Sequence, residues 1–175
     1  RALHITELQS VAKGSPFDIA FVAVKSYDTV WATAMIAEYL APGAFVVSLQ
    51  NGINEDRIAS VVGWGRTTGC IASMISVELT GPGQVRRNVA LGGTRHTVFR
   101  IGEAHGRITP RVKQVAELLS VVDSAKTTEN LWGERWSKLV VNAMRNPVSA
   151  ATGRGGNDND RDPVTRRLAL RIAAE

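Results

Sequence analysis

Phe17-Asp18-Ile19-Ala20-Phe21-Val22-Ala23-Val24 decides the fold. This nearly continuous apolar run follows Gly14-Ser15-Pro16, and that is how a strand buried on both faces of a parallel sheet reads. Residues 27–40 then carry helix-spaced apolar side chains, ended by Pro42-Gly43. A second apolar run at 44–49 leads through Gln50-Asn51-Gly52 into a helical pattern at 55–62, and a third run at 67–74 completes the alternation. Strand, helix, strand, helix, strand with short connections implies right-handed crossovers and a doubly wound parallel α/β sheet.

From Ile75 the texture changes. Residues 76–79, the turn Gly81-Pro82-Gly83, then 84–89 and 97–101 read as shorter strands in hairpin-like order. Residues 109–122 look helical, with Val112, Val115, Leu118, Leu119 and Val122 on one face. A boundary is expected near 124–128, giving domains at 1–124 and 125–175. Past it the pattern is helical only: 131–145, a loop rich in Gly, Asn and Asp at 153–162, and a helix opened by Asp162-Pro163.

The chain has 175 residues, 44% of them hydrophobic, enough for one sizeable core or for part of a two-domain protein. Its formal charge of +5 is spread among acidic positions, and Arg86-Arg87 and Arg166-Arg167 are isolated pairs. No nucleic-acid motif accompanies them, so a nucleic-acid partner is not expected. A modest positive field suits an anionic cofactor or an acid substrate. The single cysteine, Cys70, rules out an intrachain disulfide and fits a reducing compartment, where it reads as a small buried hydrophobe. No apolar stretch reaches 18 residues, so no membrane partner is expected, and the default is a soluble, cytoplasmic protein.

Two glycine clusters mislead. Gly63-Trp64-Gly65-Arg66-Thr67-Thr68-Gly69 precedes a strand, whereas a dinucleotide fingerprint follows one and opens a helix. Gly153-Arg154-Gly155-Gly156 has no strand before it. The phosphate loop of a dinucleotide site is therefore not expected within these residues.

The helix around Lys138 carries the most chemistry. Trp132, Trp136, Leu139, Val140, Ala143 and Met144 fall on one side, while Lys138, Asn142 and Asn146 recur every four residues on another. Each step of four advances about 40° around the axis and about 6 Å along it, so the polar heads form a slanted row. Such a row is either a solvated face or a grip for one small polar molecule. Asparagine is an indifferent helix former, and its appearance twice in register speaks for the grip. Pro147 disfavours helical geometry at Asn146, which predicts a bend there. Asn51 and Lys25 each follow a predicted parallel strand, where open α/β sheets take their ligands. Asn51 either faces a cofactor or serves a tight turn, and Lys25 either pairs with phosphate or reaches solvent.

Taken together, these segments resemble the ketopantoate reductases (2-dehydropantoate 2-reductases). The matching pieces are Val22-Ala23-Val24-Lys25-Ser26-Tyr27-Asp28-Thr29, Leu49-Gln50-Asn51-Gly52-Ile53 and, most specific, Lys138-Leu139-Val140-Val141-Asn142-Ala143-Met144-Arg145-Asn146-Pro147-Val148-Ser149-Ala150. The resemblance implies an NADPH-dependent reduction of ketopantoate to pantoate, a step of pantothenate and coenzyme A biosynthesis. It implies a partial Rossmann-like domain that binds NADP, followed by the start of an all-helical substrate and dimerisation domain, with a homodimer for the full-length form. Carried over by position, Lys138 is the general acid, Asn142 and Asn146 hold the substrate, and Asn51 and Lys25 line the cofactor site; no metal is implied. Family members also have a first strand with a glycine-rich turn before the part matched by Arg1, and an active-site glutamate beyond the part matched by Glu175. The chain is therefore expected to be a fragment that is inactive alone. The alternatives are a truncated, non-catalytic remnant and a same-fold reductase acting on another 2-oxo acid.

Overall fold

The computed structural model describes residues 3–175 and divides into two compact units, one up to Trp132 and one from Gly133. The described residues of the first form seven strands: β1 (Phe17–Val22), β2 (Leu40–Ser48), β3 (Thr67–Ala72), β4 (Val77–Gly81), β5 (Gln84–Arg87), β6 (Phe99–Gly102) and β7 (Ala125–Thr127). Its helices are α1 (Leu8–Ala12), α2 (Thr29–Ala37), α3 (Glu55–Val62) and α4 (Pro110–Ser120). Helix α5 (Leu131–Thr152) starts in this unit, and with α6 (Gly156–Arg161) and α7 (Pro163–Ala174) it makes the second, all-helical unit.

The main sheet runs β1-β2-β3-β6-β7 and is parallel except for the antiparallel pair β3–β6. This is a Rossmann-like α/β layer with helices on both faces. On one face Val112, Val115 and Leu119 of α4 pack with Phe45, Val47, Cys70, Phe99 and Ile101. On the other, Ile58 of α3 meets Val22 and Val46. Val46 and Val47 are both fully buried, as a central parallel strand requires.

Several elements differ from the pattern read along the chain. Strand β1 is the outer strand of this sheet, pairs with β2 alone, and buries only Val22 completely. Helix α2 stops at Ala37, and Pro42-Gly43 lies inside β2 as an exposed bulge, with Phe17 opposite Leu40 but Ile19 opposite Phe45. A bulge tolerates the proline because the ladder skips its missing N–H. Strands β4 and β5 do form a hairpin, but β6 leaves it and joins the main sheet. The sheet also continues past residue 124 through β7, and the units part at Trp132/Gly133. Leu118 of α4 and Val122, just past its end, are exposed, and the buried face of the helix is Val112, Val115 and Leu119. Helix α5 runs on through Pro147 to Thr152, so Asn146 keeps helical geometry despite the proline after it, and the expected loop at 153–162 contains α6. The asparagine it buries explains α6: Asn159 accepts from the Thr152 hydroxyl at 3.1 Å and donates to the Arg154 carbonyl at 3.3 Å. Helix α7 opens as its sequence reads, with the Asp162 carboxylate accepting from the Val164 and Thr165 amides and Pro163 in the first turn.

Two buried carboxylates bind distant parts of the first unit. Glu103, just past β6, is 1% exposed and receives both the Arg111 Nε and Nη2 groups at 2.6 Å and the Thr109 hydroxyl at 2.5 Å. Arg111 also donates to the Thr67 carbonyl at 3.3 Å and lies over the Phe45 ring, 5.6 Å from its centroid. Asp123 accepts from the Gly92 amide at 2.9 Å and from the Arg87 guanidinium, which holds the β4–β5 hairpin to the sheet.

Burial pushes the Glu103 carboxyl up, but the hydrogen bonds from Arg111 and Thr109 and the charges of Arg111 and His105 outweigh it and hold the group below the usual carboxylate range. Its stabilising contribution is therefore complete above the unfolded value near 4.3 and is lost as pH falls through the lower folded value. Glu103→Gln should destabilise the chain by roughly 3 kcal/mol at pH 7, because the Arg111 charge loses its partner. The difference from wild type should shrink as the pH is taken below about 4, measured by urea unfolding across that range.

Candidate functional site

Parallel strands β1, β2 and β3 end along one edge of the sheet, where open α/β folds receive ligands. The loops after β1 and β2 are stitched together there. The Gln50 side-chain amide donates to the Val24 carbonyl at 2.7 Å and to the Thr29 hydroxyl at 2.9 Å. The Asn54 amide donates to the Ser26 hydroxyl at 3.1 Å and to the Asn51 carbonyl at 3.0 Å, and Arg57 donates to the Ser26 carbonyl at 2.8 Å. Gly52 provides the positive φ, 82°, that the turn after Asn51 needs.

This stitching brings Lys25 and Asn51 onto two adjoining loops, both with exposed side chains. The backbone beneath them is held by buried amides, while the cation and the amide themselves face outward. A positive head and an amide on pinned loops at strand ends fit the phosphate and polar groups of a dinucleotide.

Lys138, Asn142 and Asn146 lie on α5 in the second unit. Lys138 and Asn142 are half-buried, and Asn146 is exposed. Burial pushes the Lys138 ammonium below the usual lysine range, since a charged head loses hydration there. A lysine so tuned gives up its proton more readily than a free one. The uninterrupted helix keeps the three side chains in their row despite Pro147.

Gln50 stands in the stretch Gln50-Asn51-Gly52, but neither its role nor that of Asn54 in holding the first pair was legible there. Gln50 and Asn54 are 7% and 2% exposed. An asparagine directly before a helix looks like a cap, yet the Asn54 side chain makes no cap bond to α3 and reaches across to the neighbouring loop. Only the crossover that sets the two loops side by side gives it that partner. An open depression of about 500 Å3, lined by Val11, Pro16, Phe17, Ile19 and Gln114, sits at the amino end of β1, away from these residues.

Residues 1–106 match the family model described as Ketopantoate reductase PanE/ApbA. A 2-dehydropantoate 2-reductase of Archaeoglobus fulgidus is 31% identical over 164 residues, covering 90% of this chain and 51% of the relative. The crystal structure of 2-dehydropantoate 2-reductase from Geobacter metallireducens GS-15 superposes with a TM-score of 0.77 at 26% identity, over 93% of this chain and 52% of that one. A complex of D-mandelate dehydrogenase with NADH shares the fold, with a TM-score of 0.77 at 19% identity, over 90% of this chain and 51% of that one. The chain spans about half the length of the curated relatives it matches.

Asn54→Ala removes the bond to the Ser26 hydroxyl that crosses between the loops and the bond to the Asn51 carbonyl that braces the second loop, and leaves the Gln50 and Arg57 bonds in place. It should cost about 1–2 kcal/mol, and amide hydrogen exchange should speed up at 25–29 and 50–53 while the β2 and β3 amides stay protected. Exchange mass spectrometry on the two proteins checks this.

Proposed function

This chain belongs to the ketopantoate reductase family, and from that premise we propose that the whole protein reduces ketopantoate to pantoate with NADPH. One observation carries the reading: Lys138 stands half-buried, its proton loosened by burial, with Asn142 one turn along the same helix.

NADPH, when bound, supplies the hydride that reaches C2 of the ketone. Lys25 and Asn51 hold that cofactor at the ends of β1 and β2, the lysine on phosphate and the asparagine on a polar group. Lys138 faces the C2 oxygen, stabilises the negative charge that develops there and donates the proton that completes the alcohol. Asn142 and Asn146 bind the polar groups of the substrate and fix its orientation, because hydride transfer needs the reacting atoms held within about 3–3.5 Å. Removing water from the Lys138 head strengthens its attraction for the oxyanion.

A cytoplasmic setting accords with the single buried thiol of Cys70. No helix among the described residues is long and apolar enough to cross a membrane. Two copies pairing through the helical part belongs to the same reading, supported by Val164, Leu168 and Leu170 of α7, which are 78%, 51% and 54% exposed.

In the whole protein, Lys138→Ala should lower kcat by on the order of 10²-fold or more with NADPH affinity unchanged. The wild-type rate should fall on the alkaline side, as Lys138 deprotonates, at a pH below the ~10.4 of a free lysine, and the variant should lack that limb. Stopped-flow absorbance of the reduced nicotinamide across pH measures both. Lys25→Ala should weaken NADPH binding, and more so at low salt because an exposed ionic contact is screened by salt. Fluorescence titration at two ionic strengths tests that contact.

A further inference from the structure

Asn51 is the one asparagine of the chain that a glycine follows. Its side chain is exposed, and among the described residues neither its side-chain amide nor the Gly52 N–H has a hydrogen-bond partner. Gly52 has no Cβ to shield its nitrogen from a neighbouring side chain. The peptide carbonyl between the two residues, by contrast, accepts from the Asn54 amide at 3.0 Å and from the Ser26 hydroxyl at 3.5 Å. Donors on that oxygen draw electron density from the Asn51–Gly52 peptide and favour its deprotonated form, as hydrogen bonds favour any anion they reach. Other asparagines are placed differently. Asn142, Asn146, Asn157 and Asn159 lie in helices α5 and α6, where the backbone is held in place. Asn54 is buried with its amide bonded, and the exposed Asn88 precedes the β-branched Val89.

We propose that Asn51-Gly52 is a site of spontaneous covalent modification that adds a negative charge to the strand-end edge. The Gly52 nitrogen, once deprotonated, attacks the side-chain carbonyl carbon of Asn51. The new C–N bond closes a five-membered succinimide, and the side-chain nitrogen leaves with its protons as ammonia. Water then opens the ring at either carbonyl and leaves a carboxylate on residue 51, with the chain running through its α- or its β-carboxyl. One water enters and one ammonia leaves, so no oxidant or reductant takes part. The modification stands on the loop alone, and its consequence for cofactor binding rests on the NADPH reading above. A carboxylate on the loop adjoining Lys25 competes for the lysine's charge and repels a phosphate.

Ageing the whole protein in 18O-water at mildly alkaline pH, followed by digestion and mass spectrometry, tests this. The peptide holding 51–52 should take up 18O and become a substrate for an isoaspartyl methyltransferase, at a rate that rises with hydroxide, while the Asn88 peptide stays unlabelled. Asn51→Gln should abolish the label, because its longer side chain would have to close a larger ring. Saturating NADPH should slow the conversion, and the aged protein, like Asn51→Asp, should bind NADPH about tenfold more weakly at low salt. An unlabelled 51–52 peptide under conditions that convert the free peptide Leu49-Gln50-Asn51-Gly52-Ile53 overturns the inference alone. Label at Asn51 that NADPH does not slow, with an unchanged Kd for NADPH afterwards, overturns the cofactor role of Asn51 and leaves the modification standing.

Discussion

Strand β2 pairs in parallel with β1 on one side and β3 on the other, and the rest of the first unit follows from that arrangement. Parallel neighbours cannot be joined by a tight turn, so the chain must cross over through a helix each time. Helices α2 and α3 are those crossovers, and their burial on one face leaves α4 to cover the other. The same constraint delivers three loops to a single edge. Lys25, Asn51 and Met74 share that edge because of strand direction, although up to 49 positions separate them in the chain.

Once β6 turns antiparallel to β3, the regular crossover pattern no longer holds the sheet together, and buried charge takes over part of the task. Glu103 fastens α4 to the end of β6 through Arg111 and Thr109, and Arg111 extends to the start of β3. Asp123 gathers the hairpin and the glycine-bearing loop at 92–93 next to β7. Each carboxylate is stable in the interior because several donors converge on it. Close packing adds to this at Gly69, where an ideal Cβ would stand 2.7 Å from the Leu131 methyls, so the start of α5 can lie against β3 only over a glycine.

The site shows a division of roles. Gln50, Asn54 and Arg57 spend their hydrogen bonds on backbone and hydroxyl groups and fix the loops, while Lys25 and Asn51 are presented outward. Loops fixed in advance lose little freedom when a ligand arrives. On α5 the continuous helix does the same for Lys138, Asn142 and Asn146, whose spacing depends on no tertiary partner.

By itself the sequence determined the features that depend on local periodicity. The apolar runs located β1, β2 and β3, the helical pattern at 55–62 coincides with α3, and Asp162-Pro163 opens α7. The row of Lys138, Asn142 and Asn146 was legible for the same reason, since a helix repeats every 3.6 residues wherever it lies. Tertiary structure alone decided the bulge at Pro42-Gly43, the departure of β6 from the hairpin, the short strand β7 and the outward turn of Leu118 and Val122. It also decided that Asn54 ties two loops instead of capping α3, and that Met74 is held at positive φ. Each of these depends on a partner far away in the chain, and pairings of that kind leave no period in the residues that make them.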